Sequence, residues 1–382
     1  MLTCKSCGQK YDLSENIIRC GCGGILENDI QSGEIREGTS IWERFRDFFN
    51  LDIDNDFSLG EGNTPLVKSN KIADRYDIDL YFKNETVNPT WSFKDRGTFT
   101  GLNRAVNLGY DRLGTVSTGN MGVSVASYGS RAELDTNVLV SSTISENKIK
   151  QIAAYSPRII KVKGDYGQLY FESLDLGMEK DIYFLNSDDP FRVEGYKTMG
   201  FEIFEEMIPD HILMPTSSGG LFRGIVKGLR ELIENDLLSE MPNLISIQSE
   251  GCSPIFRAYK EGEENIDHWD DPDSVAHSIE NPYPPSGDEV LRLVKKYDGT
   301  ILTVDNDEIL AAQKELAEDG IFAQPASCVG IAALEQLTEK GIIDEKEKVV
   351  SIITGAGIKD VSSVKENENT ISCRIEDLKD NL

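Results

Sequence analysis

The sequence predicts an α/β protein whose largely parallel sheets are shared between two domains, preceded by a small cysteine-rich segment. Three observations carry that expectation. From residue 64 onward, short apolar runs alternate with helix-length patterns, the signature of βαβ units covered on both faces. The chain has 382 residues, more than one small core accommodates. Of its seven cysteines, four fall within the first 22 residues.

Those four are arranged as Cys4-x-x-Cys7 and Cys20-Gly-Cys22, inside a ribbon expected over 1–30. Two thiol knuckles about a dozen residues apart can wrap one tetrahedral Zn²⁺. The glycines of "CGCGG" (20–24) relieve backbone crowding there. The second gap is shorter than the usual two residues, so unmetallated thiols are the competing reading. Cys252, Cys328 and Cys373 are scattered, and a reducing compartment gives no reason to pair them.

Acidic residues number 66 against 39 basic ones, a net charge of −27. Such a surface repels nucleic acid and anionic membrane, so neither is expected as a partner. The excess reads first as a generally acidic surface, with life in high salt as the alternative, since lysine remains common. No run of about 18 apolar residues is present, so no transmembrane helix is expected. The opening "MLTCKSCGQKYDL" lacks the apolar core of a signal peptide, which makes the cytoplasm the expected location.

Strands are expected at 79–83, 114–117, 137–141, 158–164, 181–186, 211–216, 243–248, 300–305 and 348–354, with "SIWERFRDFF" (40–49) as an amphipathic piece ahead of them. The prolines of "ENPYPPSGDE" (280–289) predict a loop, and the charge after about 361 predicts a loosely packed tail. Ligands of such sheets bind beyond the carboxyl ends of the strands.

Four loops at such ends carry chemistry. In "NPTWSFKDRG" (88–97), Ser92 and Asp95 fit a capping box, which places Lys94 in the first turn of a helix that Gly109 closes. The helix dipole and the apolar Trp91 and Phe93 all push a lysine pKa down. A free amine is what Schiff-base chemistry requires, although an ordinary first-turn surface lysine fits the decapeptide as well. "STGN" (117–120) offers hydroxyls, an amide and N–H groups at a helix start. In "LMPTSSGGLFRGIVKGL" (213–229), the N–H groups of Ser217 to Leu221 can cradle a phosphate against a helix dipole. "VVSIITGAGIKD" (349–360) aims the hydroxyl of Thr354 past the sheet edge. Either of the last two can also be a plain turn.

Taken in order, these pieces resemble the pyridoxal-phosphate enzymes of fold type II, and closely the threonine synthases. The likeness runs from residue 1 to about 360. It includes the N-terminal cysteines, "GEGNTPL" (60–66), "SFKDRG" (92–97), "STGN", "NSDDPFRVEGYKT" (186–198), "IQSEGCSPI" (247–255), "IFAQPAS" (321–327) and "TGAGIKD" (354–360).

The resemblance implies a two-domain architecture. A large cofactor domain would take 31–95 plus 200–365, a small domain 96–199, and a charged tail 366–382. It implies that Lys94 carries pyridoxal 5′-phosphate as a Schiff base and shuttles protons. Asn120 would meet the cofactor's ring hydroxyl. Ser217, Ser218, Gly219, Gly220 and Leu221 would hold its phosphate, and Thr354 would face its pyridine nitrogen. Ser117 and Thr118 would lie near the substrate carboxylate. Asn186, Ser187 and Arg192 would take the substrate phosphate. The implied reaction turns O-phospho-L-homoserine and water into L-threonine and phosphate, by a homodimer as in relatives of this kind.

Several residues depart from the family pattern. Trp91 replaces a usual glycine, Met121 a usual threonine and Ala356 a common histidine. Ser218 to Leu221 stand in a loop that usually carries asparagines, and a longer family element is reduced to "SIENP" (278–282). These changes keep two alternatives open. One is elimination or replacement on another phosphorylated or acylated amino acid such as O-phosphoserine. The other is a non-catalytic ligand-binding paralogue, against which Lys94 speaks.

Overall fold

The computed structural model describes residues 1–117, 119–164, 166–364 and 372–380. Three sheets are present among them. The first is small and antiparallel, formed by β1 (Leu2–Cys4), β2 (Lys10–Tyr11) and β3 (Leu26–Asn28) in the order β2-β1-β3. The chain then lays down β4 (Leu66–Lys68) and β5 (Asp79–Asn84) before leaving for a second sheet. That second sheet is parallel and contains β6 (Arg112–Val116), β7 (Asp135–Ser141), β8 (Arg158–Val162) and β9 (Tyr183–Phe184), in the order β8-β7-β6-β9.

The chain returns through β10 (His211–Pro215), β11 (Asn243–Ser249), β12 (Thr300–Val304) and β13 (Lys348–Ile353). These join β4 and β5 in a six-stranded sheet ordered β12-β11-β10-β13-β5-β4, antiparallel only between β4 and β5. The last strand thus inserts between the first parallel strand and the returning one. The carboxyl ends of β5, β13 and β10 therefore lie side by side, the switch point where such sheets bind ligands.

All nine expected strands form. Their residues are mostly buried, as continuous apolar runs in doubly covered parallel sheets are, except in the edge strand Arg158–Val162, where none is. The 40–49 piece folds as a short helix, Ile41–Arg44, closed by a capping box between Ser40 and Glu43, followed by a 3₁₀ turn over Arg46–Phe48. Its rings fill the core: Trp42 lies 4.7 Å from Phe99, and Phe45 stacks on Phe201 at 4.3 Å. The expected loop at 280–289 is shorter than its prolines suggest, because a helix begins at Gly287 and runs to Lys296. Proline constrains the residues before a helix but does not delay its start. The described part of the tail, 372–380, includes an exposed 3₁₀ turn; residues 365–371, 381 and 382 lie outside the described residues.

Three helices meet beneath the switch point: Lys94–Asn107, Pro190–Glu206 and Gly220–Glu234. They approach closely, and a Cβ on Gly195 would lie 2.1 Å from the carbonyl oxygen of Arg96. Most of the charged side chains buried here are paired, Arg192 and Arg223 excepted. Arg96 is wholly buried, with Nε 2.7 Å from Glu85 and Nη2 2.7 Å from Glu202, and Lys83 also reaches Glu202 at 2.7 Å. Lys197 lies 2.6 Å from Glu194 and 2.8 Å from Glu231. The N-terminal sheet docks on this group, since Leu26 and Asn28 accept hydrogen bonds from the buried Arg223 and Lys227 at 2.8 and 2.7 Å. No helix among the described residues is long and apolar enough to cross a membrane.

Candidate active site

Lys94 is the first residue of its helix, as expected, but the capping box is not what places it. Phe93 is the N-cap and no side chain caps the helix. Residues 91–93 instead run antiparallel to the loop after β13. Phe93 N–H donates to Thr354 O and Ala356 N–H to Trp91 O, both at 3.0 Å, with a bridge between Ser92 and Gly355. That pairing takes the Ser92 backbone out of capping geometry and leaves its hydroxyl without a partner among the described residues. Asp95 accepts from Thr90 N–H, Thr90 Oγ1 and Ser124 Oγ, each at 2.6 Å. Burial pushes its pKa up against these bonds.

The amine of Lys94 lies 4.2 Å from the centre of the Phe93 ring and 5.9 Å from that of Tyr196. It makes no hydrogen bond or ion pair to any described residue. Burial, with the nearby Arg192 cation as a second cause, lowers its pKa from 10.5 to about 7. A large share of the amine is then neutral at neutral pH, which is the nucleophilic form.

Residues Ser217 to Leu221 turn from β10 into the helix Gly220–Glu234, with Gly219 at φ 89°. A side chain at Gly219 would meet Val290 and Ser286 at 2.8 and 2.9 Å, so the turn is closed to larger residues. Among the described residues, nothing in the chain accepts the amides of Ser217 to Leu221. Five free donors at the start of a 15-residue helix form an anion cradle.

Thr354 Oγ1 lies 2.9 Å from Ser327 Oγ, which also accepts from Gly355 N–H at 3.0 Å. Asn120 opens its helix and donates to Gln324 Oε1 at 2.8 Å, bridging the two large sheets. Ser117 is buried, and its hydroxyl accepts from Gly119 N–H at 3.2 Å.

Arg192 is wholly buried on the helix Pro190–Glu206. It donates to Thr98 Oγ1 at 3.2 Å and to Tyr196 OH at 2.8 Å, while its Nε is unpartnered among the described residues. Unlike that of Arg96, its guanidinium has no carboxylate oxygen within 4 Å among the described residues. Ser187 lies against the anion cradle, where a Cβ on Gly220 would sit 3.0 Å from its carbonyl oxygen. Asn186 is engaged within the protein, accepting from Val116 N–H at 3.0 Å and donating to Ser173 Oγ at 2.9 Å. Thr118 lies outside the described residues.

A lysine of lowered pKa, an anion cradle, a hydroxyl at a strand end and an amide at a helix start fit pyridoxal phosphate. The comparisons agree. Residues 57–355 match the family model described as pyridoxal-phosphate dependent enzyme. The chain is 36% identical to the threonine synthase of Methanocaldococcus jannaschii over 386 aligned positions, covering 96% of this chain and 95% of that one. It is 34% identical to the threonine synthase of Methanosarcina acetivorans, over 95% and 93% of the two chains. It belongs to the pyridoxal-phosphate-dependent enzymes, among the threonine synthases. The processed form of threonine deaminase isoform 2 from Solanum lycopersicum shares the fold at a TM-score of 0.69 and 20% identity, over 89% of this chain and 96% of that one.

Within that family, the departures acquire local reasons. Trp91 has φ 62°, the left-handed region that glycine enters most easily. The residue is 47% exposed, and its ring centre lies 6.0 Å from the Lys359 amine. Met121 is buried in the main core. Ala356 is buried and pairs with Ala323 in an isolated bridge. Ser218 Oγ accepts from Asn281 at 2.9 Å, so the shortened "SIENP" element still reaches the phosphate loop.

Sequence reasoning missed Gln324, Tyr196 and Asn281 as site residues. The signal was present, since all three lie in segments already singled out, but none of those segments names its partner.

The four N-terminal thiols converge as well. Their sulfurs all lie within 4.8 Å of one another, with Cys4–Cys22 and Cys7–Cys20 at 3.6 Å and Cys7–Cys22 at 3.5 Å. Sulfurs about 2.3 Å from a tetrahedral zinc stand roughly 3.8 Å apart. The group can hold a metal.

Proposed function

We propose that this enzyme converts O-phospho-L-homoserine and water into L-threonine and inorganic phosphate, with Lys94 as the catalytic residue. The observation that carries this reading is the buried Arg192 guanidinium, free of any carboxylate partner among the described residues, beside a lysine whose pKa is lowered to about 7. A phosphorylated substrate on a phosphorylated cofactor needs two anion sites. The 217–221 amides supply one and Arg192 the other.

When bound, pyridoxal phosphate supplies an electron sink for negative charge at the substrate α-carbon. Lys94 takes the proton from that carbon and then moves one from the β-carbon. The phosphate leaves the γ-carbon with its bonding pair, water adds its oxygen at the β-carbon, and the γ-carbon ends as a methyl group. Arg192 holds the departing phosphate, with Ser187 and Asn186 fixing the segment around it. Asn120 takes the cofactor's ring hydroxyl. Thr354 offers the pyridine nitrogen a neutral partner that leaves it largely unprotonated. Ser117 lies near the substrate carboxylate, and the same role for Thr118 rests on the family resemblance.

Strand membership supports a large lobe of 31–95 plus 200–365 and a small lobe of 96–199, while a separate tail of 366–382 rests on its charge alone. The enzyme works as a homodimer in the cytoplasm on this reading, which light scattering and fractionation test. The reaction is tested with purified protein and O-phosphohomoserine. Phosphate and threonine should appear one to one, and both should vanish in Lys94→Ala. Turnover of O-phosphoserine instead would overturn the substrate. Unchanged turnover in Lys94→Ala would overturn the lysine's role.

A further inference from the structure

Arg19 directly precedes Cys20 in the thiol cluster, and its guanidinium leaves the N-terminal segment for the active-site loops. Nε donates to Asp188 Oδ2 at 2.8 Å, and Nη2 donates to Pro285 O at 2.6 Å. Nη1 turns back to Gly23 O inside the thiol knuckle, where Cys20 N–H also donates to Gly24 O at 3.0 Å. One planar group therefore ties the metal-competent knuckle to two distant segments.

Each of those segments borders an anion site. Asp188 is buried between Ser187 and Asp189. The Asp189 carboxylate caps the helix that carries Arg192, accepting from Phe191 and Arg192 N–H at 2.8 and 3.1 Å. Tyr170 OH donates to the second oxygen of Asp188, so that carboxylate is held from both sides. Pro285 precedes Ser286, whose N–H donates to Ser218 O at 3.0 Å and whose Cβ bounds the space beside Gly219. Ser286 Oγ accepts from Arg223 at 2.9 Å, and Arg223 in turn donates to Leu26 O of the N-terminal sheet. A second contact thus runs from the N-terminal segment to the same loop.

We propose that Arg19 is a positioning residue, and that metal held by Cys4, Cys7, Cys20 and Cys22 sets the spacing of the two phosphate-side loops through it. The four thiolates fix the knuckle, the knuckle fixes the Arg19 backbone, and the planar fork fixes both Asp188 and Pro285. Loss of metal frees the knuckle and with it the register of the 186–192 segment against the 217–221 cradle. The consequence falls on phosphate binding, because Lys94 is held by a separate pairing with the loop after β13. The substrate side of this inference rests on the proposed reaction.

The test compares the parent protein with Arg19→Ala, Arg19→Lys and Cys22→Ser. Metal content is measured by plasma mass spectrometry, bound cofactor by its visible absorbance, and catalysis by separate KM and kcat. The parent should hold one zinc per chain. Arg19→Ala should keep the zinc and the cofactor absorbance but raise KM for the phosphorylated substrate roughly tenfold, with a smaller change in kcat. Stabilisation of the parent against heat by inorganic phosphate should weaken in the same variant. Arg19→Lys should recover only part of the loss, because a lysine cannot bridge both acceptors. Cys22→Ser should lose the zinc and match Arg19→Ala. If that variant fails to fold, chelation of the folded parent takes its place.

An unchanged KM and unchanged phosphate protection in Arg19→Ala would overturn the proposal, as would parent protein that stays zinc-free after growth in zinc. A parent inactive on O-phosphohomoserine would overturn the proposed reaction instead. The phosphate-protection measurement would still decide the role of Arg19.

Discussion

Lys94 and Arg192 face the same aromatic ring: the Lys94 amine lies 5.9 Å from the centre of Tyr196, and the Arg192 guanidinium carbon 5.7 Å. Two cations sharing one buried space repel each other, and lysine is the one that can give up its proton. The arginine thereby does two things at once. It offers a positive site for an anion and keeps its neighbour nucleophilic.

The pH dependence follows. Below about 7 the Lys94 amine is charged, and above it the neutral form dominates. Capture of pyridoxal phosphate by the apo-protein should speed up with pH and level off above about 7, read by the cofactor's visible absorbance. Removing the neighbouring cation in Arg192→Leu should move that midpoint upward. The sign for stability is also fixed. An unfolded lysine stays protonated to about 10.5, so between 7 and 10.5 the unfolded chain binds more protons. The apo-protein should therefore gain stability as pH rises across that window, and Lys94→Met should abolish that contribution.

Arg192 and Arg96 make opposite predictions from similar burial. Arg96 is held by Glu85 and Glu202 at 2.7 Å each, so Arg96→Met leaves the buried Glu85 without a cation. Glu202 keeps Lys83 at 2.7 Å, so the uncompensated charge is that of Glu85, and the variant should cost about 3 kcal/mol or more in urea unfolding. Arg192 has hydroxyl partners only. Arg192→Met should leave stability nearly unchanged and raise KM for the phosphorylated substrate by about 10–100-fold, the worth of a charge-assisted hydrogen bond. Arg192→Lys should recover little of this, since a point charge does not reproduce the fork.

The same contrast explains what was legible in the sequence. The strands that carry the six-stranded sheet read clearly, because parallel strands covered on both faces are unbroken apolar runs. The edge strand Leu66–Lys68 did not, being short and half exposed. At the site, Lys94, Thr354 and the 217–221 turn each sit in a local pattern with its own chemistry. Their partners do not. Asn120 meets Gln324 across 204 residues of sequence, and Arg19 meets Asp188 across 169. The capping box failed for the same reason. A local motif at Ser92 and Asp95 lost to a non-local pairing with Gly355, which no window around residue 92 contains.

Asn281 and Ser218 make a narrower test. Their hydrogen bond, 2.9 Å long, joins the shortened 278–282 element to the phosphate loop. Asn281→Ala removes one neutral bond at a half-buried site, worth about 1 kcal/mol. Affinity of the apo-protein for pyridoxal phosphate should fall roughly fivefold by equilibrium titration. An unchanged affinity would mean that the loop is held by the Ser286 contact alone.

Trp91 supplies the last prediction. Its φ of 62° is a conformation that side chains with a Cβ adopt at a cost of about 1–2 kcal/mol. The turn is imposed from both sides. Trp91 N–H donates to Asn88 O at 2.8 Å, and Trp91 O accepts from Ala356 at 3.0 Å. The ring recovers part of the cost near the Lys359 amine, at 6.0 Å. Trp91→Gly and Trp91→Ala both delete that ring contact, but only glycine removes the backbone strain. Glycine's extra freedom in the unfolded chain offsets some of the gain. The glycine variant should therefore be the more stable of the two by about 1 kcal/mol in urea unfolding. Equal stabilities would show that backbone strain at 91 contributes nothing measurable.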